Sequence, residues 1–164
     1  MDQIEPGSLA PDFTLPRTRP NTGPGSGEAE FSLSAHRGRI VVLFFYPKDD
    51  TSGCTAEAIS FSALKAQFDA LGAVVVGLSP DSIKSHDRFR QKHDLGIDLV
   101  SDEDKRVLQT YGVWVQKSMY GRKYMGVERT TVLIGRDGTV ARVWNKVKVP
   151  GHAGEVLEAV KALG

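Results

Sequence analysis

Residues 40–46, Ile-Val-Val-Leu-Phe-Phe-Tyr, form an unbroken run of β-branched, aromatic and other apolar side chains. Such a run favours a central strand that is covered on both faces, so the chain must place helices on both sides of a sheet. Apolar residues then recur at helical spacing between Phe61 and Leu71, which predicts a helix of about 17 residues that starts at Cys54 and is ended by Gly72. Residues 73–78 predict a second buried strand, which completes a right-handed βαβ unit.

The remaining strong patterns predict the rest of an α/β domain. Asp81 is expected to cap a polar helix, and residues 156–163 predict a final helix with one apolar face. Residues 129–134 and 139–144 predict a β-hairpin, because the Asp-Gly step between them is a strong turn signal. This order of elements is similar to the thioredoxin-like fold, a central mixed β-sheet flanked by helices, in a single domain over residues 1–164.

Several shorter segments carry weaker patterns. Residues 17–30, which are rich in Pro, Gly and Thr, predict a flexible loop, and residues 31–33 predict a short strand. Residues 98–100 are expected to be extended. Asp102 is expected to begin a further helix, which Gly112 ends.

The composition is that of a globular protein with a substantial core, since the 164 residues (17.9 kDa) are 40% hydrophobic and 25% charged. A net charge of +1 gives no electrostatic reason to expect a nucleic-acid or anionic-membrane partner. No apolar run is long enough to span a bilayer, and the acidic segment 1–7 lacks the apolar region of a secretory signal. The sequence therefore predicts a soluble protein of the cytoplasm.

Cys54 is the single cysteine of the sequence, and it follows the polar turn Thr51-Ser52-Gly53 at the predicted start of a helix. A thiol in the first helical turn meets free backbone N–H groups and the positive end of the helix dipole, which both favour the reactive thiolate. A lone cysteine is more often a small buried hydrophobe, but such a residue would lie within an apolar periodic stretch. The pattern therefore indicates a nucleophile, and a single cysteine excludes an intramolecular disulfide and a cysteine-rich metal site.

Pro47, Thr51 and Cys54 match the motif P-x-x-x-T-x-x-C, and the chain thereby resembles the peroxiredoxins, in particular their bacterioferritin-comigratory, or Q-type, subfamily. The resemblance covers residues 10–163 and implies a thiol-dependent peroxidase that needs no cofactor and no metal. It also implies a peroxide substrate, an external thiol reductant and a monomer. Further matching segments are residues 45–49, 53–55, 112–114, 117–121 and 126–129.

The resemblance implies a role for each residue of the expected site. Cys54 attacks one peroxide oxygen as a thiolate, and the other oxygen departs as hydroxide or alkoxide. Thr51 and Arg129 bind and polarise the peroxide, and Pro47 shields the pocket from water. Without the resemblance, Arg129 would be interpreted as a solvated arginine at a strand end. Glu57 is either the partner of that cation or an ordinary first-turn residue.

The sulfenic acid that this attack leaves on Cys54 must be reduced before it over-oxidises. Q-type relatives carry a second cysteine either five residues after the first or in the helix after the second strand, and here those positions hold Ile59 and Arg90. This departure from the relatives predicts a one-cysteine cycle, in which an external thiol (glutathione, thioredoxin, glutaredoxin or a small dithiol) attacks the sulfenic acid directly. An intermolecular disulfide between two Cys54 residues is the alternative, and it requires an exposed and mobile helix.

Two other functions stay open at this stage. The lack of a second cysteine also fits a thioredoxin-like binding or chaperone module with vestigial peroxidase activity, although such a module does not need Pro47, Thr51 and Arg129 together. A glutathione-dependent disulfide oxidoreductase is the other, but the sequence lacks the C-x-x-C step of such enzymes.

The histidines give no metal signal. His36, His86, His93 and His152 lack ligand spacing among themselves and with carboxylates. His86 and His93 share a predicted helix, and both are expected to be solvated.

Overall fold

The computed structural model describes residues 4–18 and 29–163, so most of the predicted loop 17–30 lies outside the described residues. The helices are α1 (Ser52–Ala63), α2 (Lys65–Ala70), α3 (Ile83–His93), α4 (Arg106–Thr110) and α5 (His152–Leu163), and a 3₁₀ turn spans Leu33–His36. The strands are β1 (Thr14–Arg17), β2 (Ala29–Ser32), β3 (Ile40–Phe45), β4 (Ala73–Ser79), β5 (Asp98–Ser101), β6 (Trp114–Met119), β7 (Arg122–Val127), β8 (Thr130–Ile134) and β9 (Val140–Trp144). Seven strands form one sheet in the order β2-β1-β5-β4-β3-β8-β9, and β6 pairs with β7 in a separate ribbon.

Strand β3 lies inside this sheet, parallel to β4 and antiparallel to β8. All six of its side chains are buried, and they alternate between two apolar clusters on opposite faces. Phe44 belongs to the cluster that includes Phe61 of α1, whereas Phe45 belongs to the cluster that includes Leu108 of α4. The predicted buried strand and the α/β class, a mixed sheet flanked by helices, are therefore confirmed.

Gly77 allows this packing where β4 passes Phe44. A Cβ at Gly77 would lie 2.6 Å from Cζ of Phe44, a distance that no real side chain tolerates. The space is filled instead by the Phe44 ring, which stacks on Phe61 with a centroid distance of 4.7 Å. The glycine thus serves close packing of the core rather than a turn.

The single helix predicted from Cys54 to Gly72 is instead two helices, α1 and α2. Leu64 separates them with φ −97° and ψ 3°, and its N–H donates to the carbonyls of Phe61 and Ser62. The apolar spacing holds across the break because Phe61 and Phe68 belong to the same buried cluster. Side-chain periodicity therefore predicted the buried face correctly and missed the backbone interruption.

Two further helices, α3 and α4, begin later in the chain than the sequence predicts. Ser82, rather than Asp81, caps α3, since its side chain accepts the N–H of Ser85 at 3.1 Å. Helix α4 begins at Arg106 instead of Asp102, whose carboxylate accepts the N–H of Leu108 at 2.8 Å. Asp81 accepts the backbone N–H of Asp49 instead of capping α3. Neither acid therefore caps the helix that it was predicted to begin.

The ribbon of β6 and β7 was not predicted as a hairpin. Its strands pair from Trp114 with Val127 to Met119 with Arg122, and Tyr120 and Gly121 form the turn with φ 52° and 79°. Two positive φ values are typical of the turns that close tight hairpins. Tyrosine is uncommon at such a position, so the turn signal was weak.

The predicted hairpin around the Asp-Gly step is confirmed as β8 and β9. Because β8 also pairs with β3, with Phe45 opposite Thr130, residue 129 lies beside the end of the central strand. Among residues 4–18 and 29–163, no helix has the length and apolar character needed to cross a membrane.

Candidate active site

Cys54 lies in the first turn of α1, just beyond the end of β3. Thr51 is the N-cap residue of this helix, with extended backbone angles of φ −87° and ψ 155°. Cys54 is the third helical residue, at the end where backbone N–H groups lack acceptors within the helix. Its side chain is 1% exposed, so the residues around it control access to Sγ.

Arg129 bridges Cys54 and Glu57. Its Nη2 donates to Sγ of Cys54 at 3.3 Å, and its Nη1 donates to Oε1 of Glu57 at 2.6 Å. The guanidinium reaches this position because Arg129 directly precedes β8, the antiparallel neighbour of β3. Of the two roles considered for Glu57, the structure supports the partner of the cation.

Glu57 is an acid in an unusual environment. Its side chain is 1% exposed, and its Oε2 has no hydrogen-bond partner in the described part of the chain. Burial raises the pKa of Glu57 to about 7, and attraction to Arg129 opposes this rise. Burial also disfavours the guanidinium, but Glu57 and Cys54 outweigh that effect and raise the pKa of Arg129. The site therefore combines a permanent cation with an acid that titrates near neutral pH.

Thr51 and Pro47 lie on the segment that joins β3 to α1, which we term the 47–51 loop. Thr51 is exposed, and its hydroxyl donates to the carbonyl of Lys48 at 2.9 Å rather than capping the helix. Pro47 is half-buried at the start of the loop. The structure thus brings Cys54 and Arg129 into contact. The hydrogen bond of Thr51 closes the loop that precedes the helix of Cys54.

Gly53 has a structural role that sequence reasoning missed. A Cβ at this position would lie 3.2 Å from Nη2 of Arg129, closer than an ordinary van der Waals contact. The missing side chain leaves room for the guanidinium beside Cys54. A glycine before a cysteine predicts a turn from sequence alone, and nothing local indicates an arginine far along the chain.

A second polar cluster, comprising Tyr46, Asp49, Asp81, Ser85 and His86, anchors the 47–51 loop to α3 and to the segment that precedes it; we term it the Asp49 cluster. Oδ1 of Asp49 accepts from the Tyr46 hydroxyl at 2.6 Å, and Oδ2 accepts from the Ser85 hydroxyl at 2.8 Å. The backbone N–H of Asp49 donates to Oδ2 of Asp81 at 2.8 Å. Burial, followed by the charge of Asp49, raises the pKa of Tyr46 well above its ordinary value, so its hydroxyl remains a donor.

His86 completes the Asp49 cluster and is 0% exposed, so the prediction of a solvated side chain was wrong. Its Nε2 lies 3.0 Å from the carbonyl of Val100 and must donate, since a carbonyl only accepts. Its Nδ1 lies 2.7 Å from Oδ2 of Asp49, within hydrogen-bond distance. Both ring nitrogens are therefore engaged.

Asp50 ties the loop to the end of α3. Its backbone adopts a left-handed conformation with φ 61°. Lys92 donates to Oδ2 of Asp50 at 2.6 Å, and Nε2 of His93 lies 2.8 Å from Oδ1. His93 is thus paired with an acid in the loop, while 21% of its side chain remains exposed to solvent.

Asp49, Asp81 and His86 bring ligand atoms to within 4.8 Å of one another, a spacing that a metal ion could use. Protein donors already engage these groups: Oδ2 of Asp81 accepts from the Ser79 hydroxyl at 2.7 Å and from the N–H of Asp49. A metal would have to displace these hydrogen bonds, so the donor set fits an anchor better than a metal site.

The two positions where Q-type relatives carry a second cysteine are structurally different here. Ile59 lies on α1 with 44% of its surface exposed. Arg90 lies on α3, and its guanidinium donates to the carbonyls of Ile97 and Leu95 at 3.0 and 3.1 Å. Arg90 therefore holds the connection from α3 to β5.

Comparison with known proteins agrees with this geometry. The model of the AhpC/TSA family matches residues 6–143, which include Cys54, Arg129 and the 47–51 loop. The chain therefore belongs to the AhpC/TSA family. Its matches place it among the Bcp, or Q-type, peroxiredoxins of that family.

Individual relatives match over nearly the whole chain. Peroxiredoxin Bcp of Bacillus subtilis is 40% identical over 158 residues, which are 96% of each protein. A cysteine-to-serine variant of Xylella fastidiosa PrxQ superposes with a TM-score of 0.88 at 37% identity, covering 99% of this chain and 98% of that one. Two variants of Xanthomonas campestris peroxiredoxin Q, with different cysteine-to-serine substitutions, are each 43% identical to this chain. One superposes with a TM-score of 0.83 and covers 93% of this chain and 92% of that one. The other superposes with a TM-score of 0.82 and covers 92% of this chain and 90% of that one.

These matches confirm the family, the thioredoxin-like fold and the enzyme class. The chain is a peroxiredoxin, a thiol-dependent peroxidase that reduces a peroxide at the expense of a thiol. The Xanthomonas campestris protein has at least two cysteines, because its two variants differ in the cysteine that is replaced. This sequence has one.

Proposed function

We propose that Cys54 reduces hydrogen peroxide and small organic hydroperoxides by direct nucleophilic attack. The observation that carries the proposal is the contact of 3.3 Å between Nη2 of Arg129 and Sγ of Cys54, which places a permanent positive charge beside the sulfur. The thiolate attacks one peroxide oxygen, an S–O bond forms and the O–O bond breaks. The departing oxygen leaves as hydroxide or alkoxide and takes up a proton, and Cys54 becomes a sulfenic acid.

Arg129 is proposed to act on both partners of this reaction. Its Nη2 holds the thiolate, and the planar guanidinium can polarise the peroxide oxygens as negative charge develops on them. Glu57 fixes the other nitrogen of the guanidinium through the 2.6 Å ion pair. The cation is therefore oriented before the peroxide arrives, which reduces the cost of reorganisation in the transition state.

Thr51 and Pro47 are proposed to shape the pocket above Cys54. Support comes from the hydrogen bond of Thr51 to the carbonyl of Lys48, which closes the loop before the helix. Pro47 has no N–H and is half-buried at the loop start, where it can limit the entry of water. The free N–H groups in the first turn of α1 can bind a peroxide oxygen.

The sulfenic acid is proposed to be reduced by an external thiol in a one-cysteine cycle. The sequence holds one cysteine, and Ile59 and Arg90 occupy the two positions where relatives place a second one. Glutathione, thioredoxin and glutaredoxin are the candidate reductants. A protein of the cytoplasm that acts as a monomer is consistent with this cycle and is part of the proposal.

A single turnover without thiol tests the proposal. The reduced protein is mixed with one equivalent of hydrogen peroxide and followed by intact mass, with Cys54→Ser as control. We expect rapid gain of one oxygen in the parent chain and none in the variant. Oxidation no faster than that of a free thiol would contradict the proposal, and the binding or chaperone module would then be favoured.

A further inference from the structure

Four lysines lie on chain segments next to Cys54 and Arg129, and none has an ion pair within residues 4–18 and 29–163; we term Lys48, Lys117, Lys146 and Lys148 the lysine rim. Lys48 belongs to the 47–51 loop. Its carbonyl accepts the Thr51 hydroxyl at 2.9 Å, and its side chain is exposed. One uncompensated cation therefore lies on the loop itself.

Lys117 approaches the site from β6. Its stem packs across the ribbon, with Cδ 3.3 Å from the position that a Cβ of Gly126 would occupy. Partial burial, and then the charge of Arg129, lower the pKa of Lys117, whereas Cys54 and Glu128 raise it. The ammonium thus lies within electrostatic reach of both Arg129 and Cys54.

Lys146 and Lys148 lie on the segment after β9. They flank Val147, whose N–H donates to the carbonyl of Arg129 at 2.9 Å. Both side chains are exposed, and both line an open recess of about 580 Å³. The acid in this recess, Glu155, already accepts the indole N–H of Trp144 at 2.6 Å.

The nearby acids leave the rim positively charged. The charge of Glu57 is paired with Arg129, and that of Asp50 with Lys92 and His93. Glu128, between β7 and β8, is the acid whose charge acts on Lys117. The excess of positive charge is local, because the whole chain has a net charge of +1.

We propose that the lysine rim selects an anionic thiol, one that carries a carboxylate besides its sulfur, as the reductant of Cys54. This inference rests on the proposed one-cysteine cycle. Hydrogen peroxide is neutral, so the rim has little effect on the first step. The attacking thiolate and its carboxylate are both negative, so the rim raises their local concentration in the second step.

The chemistry of this second step balances with two thiols. The first thiolate attacks Sγ of oxidised Cys54, an S–S bond forms, and the S–O bond breaks to release hydroxide, which is protonated to water. A second thiolate then attacks the mixed disulfide, frees the Cys54 thiolate and departs as the symmetric disulfide. The rim attracts the reductant in both encounters.

Three small thiols test the proposal: 3-mercaptopropionate is anionic, 2-mercaptoethanol is neutral and cysteamine is cationic. Cys54 is first converted to the sulfenic acid and checked by mass, and the rate of its reduction is then measured per unit of thiolate. At low salt we expect 3-mercaptopropionate to react about 3- to 10-fold faster than 2-mercaptoethanol, and cysteamine to react more slowly. In about 0.5 M salt, where the screening length is about 4 Å, the rates should converge to within about 2-fold.

Matched variants locate the effect. Lys117→Gln, and Lys146→Gln combined with Lys148→Gln, should each lower the anionic-to-neutral rate ratio by about 2- to 3-fold. Lys161→Gln is the control, because Lys161 pairs with Glu158 near the C-terminal end of α5. This variant should leave the anionic-to-neutral rate ratio unchanged.

Equal rates for the three thiols at low salt, or an anionic-to-neutral rate ratio that the rim variants do not change, would overturn only the proposal that the lysine rim selects the reductant. Failure to form any sulfenic acid would overturn the proposed function, and the rim inference with it. The two failures are distinguishable because the sulfenic acid is measured before any thiol is added.

Discussion

The 47–51 loop connects two polar clusters that differ in how completely their hydrogen bonds are made. In the Asp49 cluster both carboxylate oxygens of Asp49 and both ring nitrogens of His86 have partners. Around Cys54, in contrast, Oε2 of Glu57 is buried without a partner among the described residues. One cluster is complete in the resting protein, and the other retains unused bonding capacity.

This difference separates the residues that hold the loop from those that react. A buried polar network is stabilising when every member is satisfied, and each broken bond in it is costly. A reactive centre needs the opposite, since groups that are already satisfied have no free bond to offer a peroxide. The comparison predicts that changes in the Asp49 cluster reduce stability, whereas changes around Cys54 reduce the rate of peroxide reduction.

The largest expected effect is a loss of stability when the hydrogen bonds of the Asp49 cluster are broken. Asp49→Asn removes the negative charge opposite His86 and places amide hydrogens where an acceptor is required. The free energy of unfolding should fall by about 3–5 kcal/mol, as measured by urea unfolding. Asp94→Asn, at an exposed left-handed position after α3, is the control and should change stability by less than about 0.5 kcal/mol. An Asp49→Asn protein as stable as this control would contradict the anchoring role.

Removing the positive charge of Arg129 beside Cys54 should chiefly lower the rate of peroxide reduction. Arg129→Gln is expected to slow the oxidation of Cys54 by hydrogen peroxide about 10²- to 10³-fold, because the developing charge on oxygen loses its donor. Arg129→Lys should retain part of the rate, since it keeps the charge but not the planar fork. The measurement is the single-turnover rate, with the exposed Arg106→Gln as control. A rate for Arg129→Gln within 3-fold of the parent, roughly 0.6 kcal/mol, would remove Arg129 from the mechanism.

Replacing Glu57 should alter the dependence of stability on pH. The pKa of Glu57 is about 7 in the folded chain against an ordinary value of 4.5, so the folded state binds this proton more tightly. Its contribution to stability is complete below about pH 4.5 and is lost as the pH rises through about 7. Between these values the unfolding free energy of the parent should fall by about 1–3 kcal/mol more than that of Glu57→Gln. The same pH dependence of the unfolding free energy in both proteins would show instead that folding leaves the pKa of Glu57 unchanged.

The smallest effect is expected from adding a methyl group beside the guanidinium. Gly53→Ala places a Cβ about 3.2 Å from Nη2 of Arg129, and displacement of that nitrogen should slow Cys54 oxidation about 3- to 10-fold. Gly154→Ala is the matched control, because it is also helical and its Cβ would meet nothing within 4 Å. Both substitutions favour helix by about 0.5–1 kcal/mol, so a slower rate in Gly53→Ala alone would isolate the crowding of Arg129. Equal rates in the two variants would show that the guanidinium tolerates the added methyl.

The parts of the fold that the sequence predicts well are those set by local pattern. The continuous apolar run gave β3, and the Asp-Gly step gave the hairpin of β8 and β9, because each signal lies within a few neighbouring residues. The break at Leu64 left no such signal, since apolar spacing is the same on both sides of it. The placement of Cys54 in a first helical turn also followed from local residues.

The parts of the site that escaped prediction depend on residues far apart in sequence. Asp49 and His86 are 37 positions apart, and no periodicity connects an acid in a loop to a histidine in a helix. A histidine without nearby ligands predicts solvent exposure, whereas the fold buries it against an acid. Gly53 was missed for the same reason, because the residue that needs its space, Arg129, lies on another strand.

The anchoring of the loop to α3 has a consequence for how the protein opens. Asp49 bonds to Ser85 and His86, and Asp50 to Lys92 and His93, so both ends of α3 hold the loop. Segments joined in this way tend to open together as one cooperative unit. In native-state hydrogen exchange, the amides at the start of α1 should then be released in the same event as those of α3, while the amides of β3 stay protected until the whole chain unfolds.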